Sequence, residues 1–276
     1  MSAPTLTVYS NAAPCPRVEV FFPSFDAGTA SVTVYRIAAG EERQVRGAVL
    51  APTGGTLTRI DFEVPFNIPV TYRAEQFNSA GVSLGFTPSA VVTLASATTW
   101  MHNPLDPQGS VVVFFGEDGD WSVTRPTPGS VSHPKGRRVG VVLSEPRQGV
   151  VGLKLTVRTS NDEDADRVQT MCGANGMPPV LCIRMGLRDQ NLRVPQPLFL
   201  SALNVAEVDM TTRWGGSELA HKVDGDEVDP PIPGLFVPLL RRKDLNFVFA
   251  NRTALNAAGL TRADINRLYQ YAGAAG

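Results

Sequence analysis

The sequence predicts a mainly β chain with two β-rich domains and a short helical segment at the C-terminal end. Three observations carry that expectation. Among 276 residues, 25 are Gly and 22 are Pro while only 18% are charged; that Gly/Pro share, about 17% against the usual ~12%, fits short strands joined by tight turns rather than a helical bundle. Residues 1–95 contain seven short segments in which apolar and polar residues alternate with period two, the strand signature. A single stretch after residue 160 shifts to the helical period, with strand-like segments on both sides of it. At about 150 residues per domain the length suggests two domains, and 43% apolar residues suffice for two cores.

In the first 95 residues the expected strands are Leu6–Tyr9, Arg17–Phe22, Ser31–Arg36, Leu57–Val64, Val70–Phe77, Val82–Phe86 and Val91–Leu94. The stretch after Arg36, Ile37 to Arg43, holds an AAGEER turn, and Asn78-Ser79-Ala80-Gly81 makes a hairpin turn. Seven short strands in about 95 residues is the pattern of an immunoglobulin-like sandwich. The run from Val70 through Tyr72, Asn78 and Gly81 to Ser83 resembles the late strand and turn of a fibronectin type III domain. That resemblance implies that Tyr72 is a corner tyrosine whose hydroxyl bonds back to the backbone. The usual early Trp is missing, so Phe21, Phe22 or Tyr35 must fill its core volume.

Residues 96–109 (ASATTWMHNPLDPQ) combine small residues, two prolines and Trp100 and read as a stiffened linker, with Trp100 at the seam between domains. In residues 110–235, Val111–Phe115 and Trp121–Thr124 flank a turn at Gly116–Asp120. Arg137–Leu143 and Val150–Thr159 flank another at Ser144–Gly149. Ser160 followed by Glu163 is a capping box. The acids at 162–166 complement the helix dipole, and the helical face Ala165, Val168, Gln169, Cys172 stops at Gly173. Strands return at Val180–Met185, Leu198–Val208 and Glu218–Val223. The order suggests a β-sandwich or split barrel with one flanking helix. In residues 236–276, Asn251 caps a helix over Arg252–Ala258 that ends at Gly259. Thr261 with Asp264 opens another, with Ile265, Leu268, Tyr269 and Ala272 on its apolar stripe.

The net charge is −1, so no global field favours nucleic acid or anionic lipid. The charge is unevenly spread: residues 1–95 carry 6 basic and 7 acidic groups, 101–235 carry 13 and 17, and 236–276 carry 6 and 2. Of the 25 basic residues 21 are Arg, a bias that points to GC-rich coding. Cys15, Cys172 and Cys182 are odd in number and lack CxxC spacing, so they read as buried thiols in a reducing compartment rather than a disulfide framework. The start, MSAPTLTVYSN, has no basic-then-apolar leader pattern. Val111–Phe115 is the longest apolar run, too short to span a bilayer.

Searches for chemistry leave no catalytic constellation. Gly81-Val82-Ser83-Leu84-Gly85 matches G-x-S-x-G, but a nucleophile elbow needs a strand, a turn and then a helix, and this match falls in a hairpin. Asp162, Asp164 and Asp166 mimic the start of an EF-hand loop, but Arg167 and Gly173 stand where Gly and Glu are required. The Asp224–Asp229 loop (Asp224, Asp226, Glu227, Asp229) is open enough for a weak Ca²⁺, with solvated-loop acids the plainer reading. His102, His133 and His221 lie far apart, with no zinc-ligand spacing. No phosphate-binding loop or dinucleotide fingerprint occurs. The expectation is therefore no enzyme activity, no catalytic, cofactor-binding or metal residues, and no cofactor.

One further resemblance covers residues 99–275. Thr99-Trp100-Met101-His102-Asn103-Pro104-Leu105-Asp106-Pro107, the strand-rich Arg138–Thr159, the Asp-rich helix and Pro179-Val180-Leu181-Cys182-Ile183-Arg184 together look like minor tail proteins of long-tailed phages that infect GC-rich bacteria. The resemblance implies a virion structural protein of the tail tip or baseplate, with a second domain of the tail-tube and distal-tail type. It implies assembly in the host cytoplasm into a cyclic homo-oligomer, hexamer or trimer, by strands extending a common sheet. Tail tube, tail-tip hub and tape measure would be its neighbours, with host cell-surface glycan as a further contact and no nucleic acid or membrane insertion. The basic tail would dock on the acidic middle domain of the next copy. A carbohydrate-binding or host-adhesion module is the alternative, since paired sandwiches serve that role too.

Overall fold

The computed structural model describes residues 2–116, 122–174, 176–211, 215–234, 240, 242–249, 251–260, 265 and 271. The chain is mainly β, and it divides into two compact units: residues 1–95 with 105–108 and 231–276, and residues 96–104 with 109–230.

The first unit places a three-stranded sheet, β1 (Thr5–Tyr9), β2 (Arg17–Phe22) and β6 (Leu57–Asp61), with a second sheet. The second contains β3 (Ser31–Ala38), β4 (Glu41–Gln44), β5 (Ala51–Pro52), β7 (Pro69–Phe77), β8 (Ser83–Phe86) and β9 (Ala90–Thr93). The orders are β1-β2-β6 and β4-β3-β7-β8, with β9 also on β7 and β5 on β3. This is the sandwich that the alternation predicts. Along β7 the residues Val70, Tyr72, Ala74 and Gln76 are buried and their neighbours are not, and Val18, Val20, Phe22, Val32 and Val34 have no exposure.

Of the three aromatic candidates for the core, Phe22 is enclosed and stacks on Phe25 with ring centroids 5.5 Å apart, whereas Phe21 and Tyr35 are only half-buried. The expected turn after Arg36 is shorter than it looked. Ala39 and Gly40 take positive φ of 50° and 84°, which makes a two-residue hairpin turn. Glu41–Gln44 is then free to pair with β3 as β4.

Tyr72 is buried as expected of a corner tyrosine, but its hydroxyl donates to a side chain, Asp61 Oδ2, at 2.8 Å. Asp61 is the centre of a buried polar cluster. Its carboxylate also accepts from Arg36 Nη1 at 2.7 and 2.8 Å and from the backbone N–H of Glu63 at 2.8 Å. Arg36 Nη2 lies 3.9 Å from Glu63, which pairs at 2.6 Å with Arg46. Burial alone would lower the pKa of Arg36, but the carboxylates of Asp61 and Glu63 outweigh it and hold the pKa above its ordinary value. The chain after residue 230 returns to this unit: Arg46 donates to the carbonyls of Pro231 and Ile232, and Gly47 N–H to that of Pro233. Two short helices follow, α2 (Arg242–Val248) and α3 (Arg252–Ala257). Asn251 caps α3 as its sequence predicts, accepting from Ala254 N–H at 2.9 Å. The helix expected from Thr261 lies outside the described residues, apart from Ile265.

The second unit is built on a seven-stranded antiparallel sheet. Its strands are β10 (Thr99–Asn103), β11 (Asp106–Phe115), β14 (Leu153–Thr159), β15 (Val180–Arg184), β16 (Leu198–Ser201), β17 (Asn204–Asp209) and β18 (Leu219–Gly225). Their order is β16-β15-β10-β11-β14-β18-β17. One helix, α1 (Asp162–Gln169), buries Ala165 and Val168, and Val168 and Met171 join the sheet's core.

Three expectations are corrected here. The supposed linker contributes β10, central to the sheet, with Met101, His102 and Asn103 fully buried; its prolines conceal a β-branched and aromatic strand, Thr99-Trp100-Met101. Trp100 lies in that strand opposite Arg184, half-buried, its indole N–H donating to Thr98. The helix is capped by Asn161 rather than Ser160. Asn161 Oδ1 accepts from Asp164 N–H at 2.8 Å, and Asp164 Oδ2 accepts from Asn161 Nδ2 at 2.8 Å, a reciprocal box displaced by one residue. Leu198–Val208 is two strands, because the chain changes partner at Ala202–Leu203: β16 pairs with β15, but β17 pairs with β18.

The sheet curls nearly into a barrel. On its side away from β15, β16 meets the residues that follow β18: Ser201 N–H donates to Asp226 O at 2.9 Å and Val228 N–H to Phe199 O at 3.0 Å. Gly225 sits at the closure, where any Cβ would run into the Ser201 carbonyl. The split barrel with one flanking helix, expected from the element order, is the architecture of this unit.

Candidate assembly surface

The remaining part of the second unit, residues 122–152, is an arm. Its root is tied to the sheet: Val150 N–H donates to Glu227 Oε2 at 2.8 Å and Gly152 N–H to Asp226 Oδ1 at 2.7 Å. From there two chain segments run side by side. Val151, Gln148 and Glu145 donate backbone hydrogen bonds to Thr124, Pro126 and Pro128, each at 2.9 Å. They end in a hairpin of β12 (Gly129–Ser132) and β13 (Val141–Ser144). Nine residues from Thr124 to Ser132 reach about 30 Å at ~3.3 Å per residue.

This pairing corrects the expected turn at Ser144–Gly149, which is instead the side of the arm. Its tip is a β-turn at Pro134-Lys135-Gly136-Arg137, closed by Arg137 N–H to Pro134 O at 3.1 Å, with Gly136 at φ 87°. Gly at the third position of such a turn is a readable signal, and it is the feature that sequence reasoning passed over. The turn expected at Gly116–Asp120 and the strand from Trp121 lie mostly outside the described residues.

The arm is exposed along both faces. Val131 stands opposite Val142, and Leu143 opposite Ser130. Relative exposures are Val131 55%, Val139 71%, Val142 68% and Leu143 58%. A lone two-stranded hairpin is marginally stable in water, and contiguous exposed aliphatic residues mark interaction surfaces. The arm is also basic. Residues 122–150 carry Arg125, Lys135, Arg137, Arg138 and Arg147 against Glu145, a net of +4, while the rest of residues 109–230 carries 8 basic and 15 acidic groups, a net of −7.

Acidic residues of the unit lie on α1 and β17, and others, Asp224, Asp226, Glu227 and Asp229, lie at and after the end of β18. Among the described residues β17 pairs only with β18 and ends the sheet. Five of its six residues are exposed. Gln169 on α1 donates to Glu207 on β17 at 3.0 Å. On α1 itself Asp162, Glu163 and Asp166 are exposed, and Glu163 pairs with Arg167 at 2.6 Å. His221 is fully enclosed, 4.0 Å from Glu207. Burial lowers its pKa, with the Glu207 charge opposing the shift, so near neutral pH the imidazole is uncharged.

The other sequence candidates do not converge. His102 lies in β10, His133 near the arm tip and His221 in β18. No cluster of three potential metal ligands occurs among the described residues. In the Asp224–Asp229 loop, the Asp226 and Glu227 carboxylates serve as backbone acceptors at the arm root, and Asp224 lies in β18 opposite Lys154. Asp162, Asp164 and Asp166 belong to the helix and its cap. Ser83 of the G-x-S-x-G match lies on β8 and donates to Glu75 at 2.7 Å, and the next element is strand β9. None of the three cysteines forms a disulfide; Cys15 and Cys182 are buried, and burial pushes the Cys172 thiol up to about 11, well above the range where thiolates react. No helix of the described residues is long and apolar enough to cross a membrane. No protein-family model, curated protein or solved structure matches the chain.

Proposed function

We propose that this chain is a structural subunit of a phage tail tip or baseplate, assembling with copies of itself into a ring around the tail axis and joining the tail tube to tip components. The observation that carries this reading is the second unit's pair of unfilled surfaces: an aliphatic arm that its own core does not cover, and an edge strand with one free side. Edge strands are ready templates for another chain, and repeated head-to-tail pairing closes into a ring when the rotation allows. The curled sheet with one flanking helix fits the tail-tube type of domain that the resemblance implies. The fibronectin-like unit, which resembles modules used as spacers and scaffolds, supplies a body that need not take part in the ring.

The test is native mass. Light scattering on the purified chain at micromolar concentration is expected to give a closed oligomer, a trimer or hexamer, and antibodies to the chain are expected to label virion tail tips. A monomer at those concentrations, absent from virions, overturns the reading. A monomer that binds glycan arrays is the result expected of an adhesion module.

A further inference from the structure

The two unfilled surfaces of the second unit differ in charge and in what they lack. The arm has exposed aliphatic side chains on both faces and carries a net +4. Among the described residues β17 pairs on one side only, with β18, and it carries the exposed Glu207, which Gln169 of the acidic helix α1 contacts at 3.0 Å. Each supplies what the other is missing.

We propose that the β12–β13 arm of one copy docks on the β17–α1 edge of a second copy, adding its hairpin to the open side of β17. This deepens the assembly reading above, on which it rests, by naming the two faces that meet. The occupant is a second copy because the complementarity lies within one chain: a +4 arm and a body carrying −7. Lys135, Arg137 and Arg138 sit at the exposed tip, within reach of a partner's acids once the strands align. Glu207 on the edge repels acidic strands and accepts basic ones, so the charge selects the partner as well as attracting it. Strand addition supplies the backbone partners, and the aliphatic residues, Val131, Val139, Val142 and Leu143, lose their water when the hairpin is covered. Docking is head-to-tail, since the arm of each copy leaves its own β17 edge for the next. That geometry fits a ring rather than a two-fold dimer.

The test uses the full chain in light scattering and sedimentation, with thermal melting as the check on folding. V142S/L143S keeps the hairpin backbone and removes its aliphatic surface. K135E/R137E/R138E reverses the tip, and E163K/D166K/E207K reverses the edge. Each is expected to weaken association by at least about tenfold, which is ~1.4 kcal/mol; melting of the arm variants is expected to stay unchanged, and that of the edge variant to fall because it loses the Gln169–Glu207 bond and the Arg167–Glu163 pair, so its association is compared at a temperature where it is folded. Combining the two charge reversals in one chain is expected to restore association. Higher salt is expected to weaken the unaltered oligomer, since the tip contacts are screened. If the unaltered chain associates but the arm and edge variants associate equally well, the docking mode is overturned while the assembly reading stands. If the unaltered chain is a monomer, the assembly reading itself has failed.

Discussion

Replacing Asp61 by Asn tests the buried ion cluster of the first unit at nearly constant volume. The carboxylate accepts from Arg36, Tyr72 and the Glu63 backbone, all within a core where Arg36 is 3% and Asp61 2% exposed. Asn presents one acceptor oxygen and one donor NH₂, so one side of the group now confronts donors. The larger effect is on Arg36. Its guanidinium stays charged, and its nearest remaining carboxylate is Glu63 at 3.9 Å, already engaged by Arg46 at 2.6 Å. Removing one partner of a buried pair costs about 3–5 kcal/mol. The first unit groups about 145 residues, near the size at which each kcal/mol moves Tm by about 2–4 °C, so the low end of that cost already means a fall of at least ~6 °C. Calorimetry of the full chain should show the first unit's transition shifted by that amount while the transition of the second unit stays in place. The double variant Arg36→Met/Asp61→Leu removes both charges and should melt above Asp61→Asn, since an apolar replacement of a buried pair is often neutral. If Asp61→Asn melts within a few degrees of the unaltered chain, or if the double variant is the worse of the two, the cluster does not bear the charge balance argued for it.

Two further expectations concern the second unit. Gly225→Ala places a methyl group against the Ser201 carbonyl, backbone that cannot swing aside, at the point where β16 meets β18. It should cost about 1–3 kcal/mol by urea unfolding, whereas Gly54→Ala, with open space around it, should cost nothing comparable, and equal costs would sink the closure argument. His221 gives a pH dependence with a definite sign. Its folded pKa is lowered by burial, so the unfolded chain, with a pKa of about 6.5, binds the proton first as the pH falls. The stability that neutral His221 permits is therefore complete above about pH 6.5 and is lost as the pH falls below it towards the folded pKa. His221→Gln should flatten that slope in urea midpoints measured on either side of about pH 6.5, and an unchanged slope would show that His221 is not the group responsible.

What could be read from the sequence, and what could not, divides along physical lines. Strands that bury one face write the period of two into the chain, which is why Arg17–Phe22 and Val70–Phe77 were bounded almost to the residue. The N-cap of α3 at Asn251 was readable because the cap is local chemistry. At α1 two good caps, Ser160 and Asn161, stand side by side, and only the reciprocal bond to Asp164 decides between them. The arm was misplaced because its residues face solvent on both sides: with no buried face, Val141-Val142-Leu143 shows no alternation, and the nearby polar run Ser144–Gly149 resembles a turn more than the true tip does. β10 was missed because its flanking prolines and small residues resemble a linker, while its burial comes from strands far away in sequence. The Arg36–Asp61–Tyr72 cluster leaves no signature, since three polar residues spread over 36 positions meet only after both sheets form.

The distribution of charge links these observations to assembly. A net charge of −1 would ordinarily say little about partners. Placing the charges on the fold changes their meaning, because residues 122–150 of the arm carry a net +4 while α1 and β17 carry exposed acids, Asp162, Glu163, Asp166 and Glu207. A chain that kept these surfaces for itself would need the arm folded back on its own edge, and the aliphatic residues of the arm would then be covered. They are exposed at 55–71% for Val131, Val139, Val142 and Leu143. The hairpin is marginal on its own, and among the described residues β17 pairs with β18 alone. The proposed contact between copies would answer both and bring the separated charges together. The basic C-terminal segment, expected from the sequence to dock on the acidic middle domain of the next copy, groups with the first unit.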